Sequence, residues 1–554
     1  MKLMKIKTLI PWLGIVAACL MLTIPVGAQQ TQGYKNPVIP GFYPDPSVCR
    51  AGDDYYLVNS SFSFFPGVPL WHSKDMVHWE QIGNVLNRPS QLPFGSIFAP
   101  TIRYDNGTFY MITTNVMMMG GRGNFEGPKE GSGNFIVYTD DINSGNWSEP
   151  VWLELGGIDP SLYFEDGRCY MVSNGGVDGG IALAEINPKT GETLSDVKTL
   201  WHGTGGRSPE GPHLYKKDGY YYLMISEGGT EFAHMITIAR SKRMEGPYDE
   251  VNPANPILTH LFRNGMSNPI QATGHADIVE ATDGSWWMVC LAHRWASGNH
   301  HILGRETFVA PMRWDTNAWP VVNGNGLIYL DMDVPTLPQV PYAKAPVRTD
   351  FKSLRQLGLE WEYILPPVEA NYQLSNQGLK LKAAKATLDA VNPTVASIRS
   401  NADAPTFVSR RQQHMNFKAT TEVSLNGSRT GDEVGLTTFM SSEGHYEVAL
   451  IRQADGKQAV TLRYRIGKLA HIEKVVPVTA KTVQLRVEGT PSTYTFSYAT
   501  DGRNFTKLGE MDTKFISSET LGGFIGVMLG LYAQGNEGSR AEGTFSYFDY
   551  EGAE

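Results

Sequence analysis

From about Tyr34 to Leu330 the chain alternates short apolar runs with Gly, Asn and Asp turns, and long amphipathic helical spacing is missing. One phrase recurs five times in that stretch: a turn, two bulky residues, then an aliphatic one. It reads Gly52-Asp53-Asp54-Tyr55-Tyr56-Leu57, Asn106-Gly107-Thr108-Phe109-Tyr110-Met111 and Asp166-Gly167-Arg168-Cys169-Tyr170-Met171. It returns as Asp218-Gly219-Tyr220-Tyr221-Tyr222-Leu223 and Asp283-Gly284-Ser285-Trp286-Trp287-Met288. An Asn-Gly or Asp-Gly pair between β-rich runs is the strongest short-range hairpin signal. The period of roughly 50–65 residues suits propeller blades rather than short solenoid repeats. The pattern therefore predicts a five-bladed β-propeller over residues 34–332. A propeller matters because it gathers residues distant in sequence at one central mouth.

Pro335, Pro338, Pro341 and Pro346 then crowd into one stretch, which predicts a stiff extended linker over residues 333–349. Beyond it the texture changes to strict alternation. Examples are Ala419-Thr420-Thr421-Glu422-Val423-Ser424-Leu425, Tyr446-Glu447-Val448-Ala449-Leu450 and Thr493-Tyr494-Thr495-Phe496-Ser497-Tyr498. Alternation means one buried face per strand, so residues 350–554 are expected to form a sandwich of two antiparallel sheets. The fold class is all-β throughout.

At 554 residues the chain is too long for one ordinary core, which agrees with two domains. Its net charge of −9 argues against non-specific nucleic-acid binding, which needs phosphate-neutralising Lys and Arg. The N-terminus looks like a targeting segment. Lys2, Lys5 and Lys7 precede an apolar run from Leu9 to Ile24, and Val26-Gly27-Ala28 offers a small-residue cleavage site. Residues 1–28 are thus expected to be a signal peptide, leaving no integral membrane span, since the apolar run is short for one. Val16-Ala17-Ala18-Cys19 also resembles a lipoprotein signal; the apolar residues after Cys19 make anchoring there the lesser alternative. Either route exports the protein to the periplasm or the cell exterior. Besides Cys19 only Cys49, Cys169 and Cys290 occur, far apart, which argues against a disulfide framework and against a zinc site.

Three acidic residues stand in tight settings: Asp45 in Tyr43-Pro44-Asp45-Pro46-Ser47, Asp159 in Gly157-Ile158-Asp159-Pro160-Ser161, and Glu210 in Ser208-Pro209-Glu210-Gly211-Pro212. Each precedes a blade hairpin, which places it near the start of an innermost strand facing the axis. Alone, each reads better as turn chemistry, with the carboxylate capping a backbone N–H. Together they would converge on one pocket. Two carboxyls flanking a bond, one protonated and one ionised, are the minimal apparatus for cleaving a glycosidic linkage. A third can hold the acid's proton by like-charge repulsion.

With these residues in view the chain resembles glycoside hydrolase family 43. The resemblance rests on Asn36-Pro37-Val38 with Gly41-Phe42-Tyr43-Pro44-Asp45-Pro46-Ser47, on Phe65-Pro66-Gly67-Val68, on Glu210-Gly211-Pro212-His213-Leu214-Tyr215, on Glu227-Gly228-Gly229-Thr230 and on Leu303-Gly304-Arg305-Glu306-Thr307. It is strongest to the β-xylosidase and α-L-arabinofuranosidase branch, whose propeller carries a C-terminal concanavalin-like sandwich. The tail Gly523-Phe524-Ile525-Gly526-Val527 fits that second domain. The resemblance implies an inverting exo-glycosidase that releases a terminal pentose, β-D-xylose or α-L-arabinofuranose, from hemicellulose or pectin oligosaccharides. Asp45 matches the general base, Glu210 the general acid, and Asp159 the carboxylate that raises the acid's pKa. Inversion needs room for a water, with base and acid carboxyls about 6.5–9.5 Å apart.

By the same resemblance Arg305 is the substrate-contacting arginine and Phe62 an aromatic wall for the terminal sugar. Phe98 stands where β-xylosidase relatives carry Trp, and its smaller ring suits a different pentose outline such as arabinofuranose. His275, in Gly274-His275-Ala276-Asp277, matches a central histidine that reaches a calcium ion in the propeller channel, directly or through water. The chemistry itself requires no cofactor. Two rival readings are a retaining fructan-cleaving propeller, with carboxyls only about 5–5.5 Å apart, and a non-catalytic carbohydrate-binding propeller. The glycine-rich stretch over residues 117–133 reads as a rim or lid loop, or as a solvated loop without a role.

Overall fold

The computed structural model describes residues 33–92, 95–117, 131–176, 178–261, 269–394 and 404–553. The expected signal segment with Cys19 lies outside the described residues, as does the 117–133 loop from residue 118 to 130. Among the described residues the chain is nearly all β, and the only α-helical turn is Ser518–Leu521.

Five antiparallel sheets form the first part, and their innermost strands are Ser47–Ala51, Thr101–Asp105, Ser161–Glu165, Glu210–Lys217 and Ile270–Glu280. Each innermost strand lies beside the next, and the fifth lies beside the first, so the ring is closed. The N-terminal Tyr34–Lys35 pairs with Asp331–Met332. The repeated phrase makes the turn between the first two strands of each blade. In three blades both central residues have positive φ: Asn106 and Gly107, Asp166 and Gly167, Asp218 and Gly219. That is the type I′ geometry, which follows strand twist and tolerates Asn, Asp and Gly. The bulky residues after the turn fill the core between blades, as with Tyr55, Leu57 and Trp287. Cys49, Cys169 and Cys290 are buried and unpaired.

The second part is two packed eight-stranded antiparallel sheets, the concanavalin-like sandwich. One of them ends on Phe64–Phe65, a strand contributed by the propeller, which pairs with Glu362–Ile364. The core also runs on across the junction: Phe42, Phe62, Phe64, Ile302 and Leu303 pack with sandwich residues such as Phe407, Ile525 and Val527. The proline-rich stretch lies along the propeller, with the Val340 amide donating to Asp75 at 2.6 Å and Tyr342 Oη 3.0 Å from His72 Nδ1. Backbone meets backbone where the Val527 amide donates to the Ile302 carbonyl at 2.9 Å. A Cβ on Gly526 would fall 2.7 Å from the Gly304 nitrogen, which leaves no room for a side chain. Gly526→Ala is therefore expected to cost about 1–3 kcal/mol through overpacking, read as a lower Tm, because Leu303-Gly304 must move.

Candidate active site

Asp45 and Asp159 enter their blades in the same way. Each has φ of 53° and is followed by proline. Proline disfavours the right-handed helical region for the residue before it. Asp tolerates the left-handed region better than most residues. The paired strain points both carboxyls at the channel. Glu210 opens the innermost strand of the fourth blade. Gly211, directly after it, donates its N–H to Asp159 Oδ2 at 3.2 Å. Gly211 has φ of 58°, and a Cβ there would lie 3.2 Å from the His275 ring, so a side chain would be strained and would press on that ring.

His275 sits between the carboxyls, its Nδ1 4.0 Å from both Asp45 Oδ1 and Asp159 Oδ2. Arg305 Nη1 donates to Asp45 Oδ1 at 2.7 Å and to Thr230 Oγ1 at 3.2 Å. The Ser60 hydroxyl donates to the other Asp45 oxygen. The fold thus gathers Asp45, Asp159, Glu210, His275 and Arg305 into one pocket at one end of the channel. Burial and then the charge of Asp45 push the Glu210 carboxyl up to about 7. Asp159 is also pushed up to about 7, first by burial, then by Glu210 and Asp45, with His275 opposing. The charge that raises Glu210 comes from Asp45, whereas Asp159, the carboxyl expected to supply it, is itself raised by Glu210. Neighbours this close share protons as a set.

The loop that carries Glu210 is pinned from below. Buried Glu227 accepts the N–H groups of Thr204 at 3.0 Å and Gly206 at 2.7 Å, and the Thr237 hydroxyl at 2.5 Å. Phe62, expected either as a wall for the terminal sugar or as plain core, sits in a cluster of aromatic rings. Phe62 is buried, with ring centroids 5.4 Å from Phe98 and 6.3 Å from Phe524, and the Arg305 guanidinium lies 5.5 Å from its ring and 5.7 Å from that of Phe524. Phe524 comes from the sandwich, and nothing local in its sequence ties it to the propeller. A cavity of about 580 Å³ opens from this point between the domains, lined by Arg305, Thr230, Phe232, Trp295, His301 and Phe524 among others. Its wall includes Arg305 but none of the three acids, so it adjoins the acid pocket rather than coinciding with it.

Deeper in the channel lies a hub the sequence reading passed over. Asp277, fully buried, accepts from Arg103 Nη1 at 2.7 Å, Ser47 Oγ at 2.7 Å, Tyr215 Oη at 2.6 Å and the Val48 amide at 3.1 Å. Burial pushes its carboxyl up, but Arg103 and these donors outweigh it and hold the group well below the carboxylate range. Burial also lowers His213, which faces Arg103 at 2.8 Å, to about 3, so its ring is neutral.

Calcium needs six to eight oxygens. Near His275 the protein offers Asp45 and Asp159, already engaged by Arg305, Ser60 and the Gly211 amide. A calcium ion there would depend on water for most of its shell. The one group of metal-ligand types drawn together among the described residues is elsewhere: His293, His301 and Glu519, with ligand atoms within 4.8 Å. The two imidazoles stack at 3.7 Å and 17°, so their in-plane lone pairs lie in separate planes and do not meet at one ion.

The family model for glycosyl hydrolases family 43 matches residues 34–320, and that for the beta xylosidase C-terminal concanavalin A-like domain matches residues 348–551. A non-reducing end alpha-L-arabinofuranosidase of Bacteroides ovatus is 39% identical, over 96% of this chain and 98% of its own. A xylosidase/arabinosidase of Butyrivibrio fibrisolvens is 36% identical, over 93% and 99%. Among solved structures, the Bacteroides ovatus protein described as Xyloglucan PUL GH43B superposes with a TM-score of 0.85 at 36% identity, covering 94% of this chain and all of that one. A xylan beta-1,4-xylosidase from Bacillus halodurans superposes at 0.84 and 30% identity, again over 94% of this chain and all of its own. Nearly full-length similarity, the closed ring of blades and the convergent carboxyls lead to one conclusion: this chain belongs to glycosyl hydrolases family 43, and it is a glycosidase.

Proposed function

We propose that the enzyme releases a terminal pentose from the non-reducing end of an oligosaccharide with inversion, α-L-arabinofuranose in preference to β-D-xylose. The observation that carries this is the meeting of Asp45, Asp159 and Glu210, from three separate blades, around His275. Asp45 takes the proton of the attacking water. Glu210 gives its proton to the leaving oxygen, and its raised pKa keeps that proton available near neutral pH. Asp159 holds the Gly211 amide and so fixes the backbone beside the acid. The preference for arabinofuranose is supported by Phe98, which is smaller than Trp, and by the relative named for that activity. Calcium enters this reading only as a water-shelled ion beside His275, and no step depends on it. Residues 1–28 support export to the periplasm or exterior, which fractionation of a tagged, N-terminally sequenced protein tests.

A panel of aryl pentosides followed by proton NMR of the first-formed sugar tests the reading. The expected result is fastest turnover of the α-L-arabinofuranoside with the β-anomer appearing first. A first product of retained configuration would point instead to a covalent intermediate and carboxyls close enough to form it.

A further inference from the structure

The general acid sits where the backbone is least regular. Glu210 pairs across its hairpin with Ser226, but the register shifts before His213, so Gly211 and Pro212 stand in a bulge. A bulge re-aims the side chain beside it and gives up ladder hydrogen bonds. On the other side, residues 200–209 run without strand between Lys198–Thr199 and Glu210–Lys217, and the run holds Gly203, Gly205 and Gly206. Glycine loses more conformational freedom on folding than any other residue. A group outside this loop must therefore order it if the acid is to keep one position.

Glu227 is placed to do this. It ends the strand Tyr220–Glu227, next to Ser226, and is fully buried. Both its oxygens accept from the loop. The Thr204 amide lies 3.0 Å from each, the Thr204 hydroxyl 2.9 Å from Oε2, and the Gly206 amide 2.7 Å from Oε1. From the neighbouring strand Met235–Ser241, the Thr237 hydroxyl donates to Oε2 at 2.5 Å. None of these partners is a cation, so no ion pair among them offsets the desolvation of a carboxyl. The loop also lies flush on it. A Cβ on Gly203 would fall 2.6 Å from Glu227 Oε1, and one on Gly206 would fall 2.8 Å from the Glu227 Cβ. A carboxyl buried among neutral donors is a local cost of the kind that proteins carry at functional sites.

We propose that Glu227 is a positioning residue for the general acid: it holds the loop before Glu210 as Asp159 holds the Gly211 amide after it. The acid is thus clamped from both sides, by one carboxyl in the channel and another beneath the loop. Glu227 acts only through Glu210. The inference rests on the pentosidase reading and names the group that fixes its proton donor. A reacting group misplaced by about 1 Å can lose about 10²-fold in rate. That loss falls on substrates whose leaving oxygen must be protonated, and it spares those whose leaving group departs as a stable anion.

The test measures kcat and KM on a pentobiose and on aryl pentosides of graded leaving-group acidity. It uses the full-length enzyme, Glu227→Gln, Thr204→Val, Glu210→Gln and the double variant Glu227→Gln with Glu210→Gln. Glutamine keeps the shape of Glu227 but turns an amide NH₂ toward groups that themselves donate. The expected result for Glu227→Gln is a fall of roughly 10–100-fold in kcat on the pentobiose, with little change on the most acidic aryl pentoside and KM near that of the wild type. Thr204 is exposed, so Thr204→Val deletes one of the bonds without disturbing the core, and it should steepen the leaving-group dependence by a smaller amount. In the double variant the Glu227 change should cost little beyond Glu210→Gln, since the donor that it positions is already gone. Equal loss of kcat on every substrate, or two factors that multiply in the double variant, makes Glu227 a structural residue only and overturns the inference. A wild-type leaving-group dependence in Glu227→Gln overturns it too, as does one in Thr204→Val if Glu227→Gln does not fold. All of these leave the pentosidase reading intact. A wild type that turns over none of these pentosides overturns that reading first, and the inference with it.

Discussion

Asp45→Asn is expected to lower kcat by about 10²–10⁴-fold on every pentoside, whatever its leaving group. The amide cannot take a proton from water, and water attack is needed for each substrate. The amide also leaves Arg305 without the carboxylate that it meets at 2.7 Å. Glu210→Gln should behave differently. It removes the proton donor, so an alkyl or sugar leaving group loses the full factor, while an aryl group with a stable phenolate loses little. Steady-state rates on a series of aryl pentosides of graded leaving-group acidity separate the two: a steep dependence for Glu210→Gln, a flat one for Asp45→Asn. The pH profile follows the same logic. Glu210 is raised to about 7, so the competent protonated form persists at lower pH and is lost as pH rises through that value. Burial is the first cause and Asp45's charge the second, so Asp45→Asn should also move the alkaline limb of any residual activity toward lower pH.

Asp277→Ala is expected to destabilise the propeller by about 3–5 kcal/mol, because it leaves the Arg103 guanidinium charged and unpaired inside the channel. Denaturant unfolding followed by tryptophan fluorescence measures this. The double variant Asp277→Leu with Arg103→Met should recover much of the loss, since removing both charges also removes their desolvation cost. If the double variant proved worse than Asp277→Ala, the pair would be valued for its hydrogen bonds to Ser47, Val48 and Tyr215 rather than for charge balance. The folded-state pKa of Asp277 is depressed. Its contribution is therefore complete above the unfolded value of about 4 and drains away as pH falls below it. Acid should weaken the wild type more than the double variant.

The blades were legible because their turns carry a local signature. A type I′ turn needs two residues at positive φ, and the chain supplies Asn-Gly or Asp-Gly at each such turn, as at Asn106-Gly107 and Asp218-Gly219. Asp45 and Asp159 were legible for a related reason, since an acid locked between a turn and a proline is visible in a single sequence. Phe524 was not. Its ring stacks on Phe62, more than four hundred residues away along the chain, and no spacing announces that partnership. Asp277 was hidden differently. It lies two residues beyond His275 in the same phrase, but whether such an Asp meets Arg103 or water depends on how the ring closes. The strand Phe64–Phe65 lies within the stretch that the sequence assigns to the propeller, and its pairing with Glu362–Ile364 is fixed only once the sandwich docks.

That shared strand bears on what counts as a separable piece of this enzyme. A gene cut at the proline stretch would encode a propeller with Phe42, Phe62 and Phe64 bare and with Phe62 lacking the Phe524 ring that stacks on it. Proteolytic nicking at the same place has a milder consequence. Hydrogen bonds of one fragment continue into the sheet of the other, so the severed halves remain clasped and co-migrate until denatured. Exchanging tails between relatives to alter substrate range must therefore carry the Phe64–Phe65 edge along with the graft.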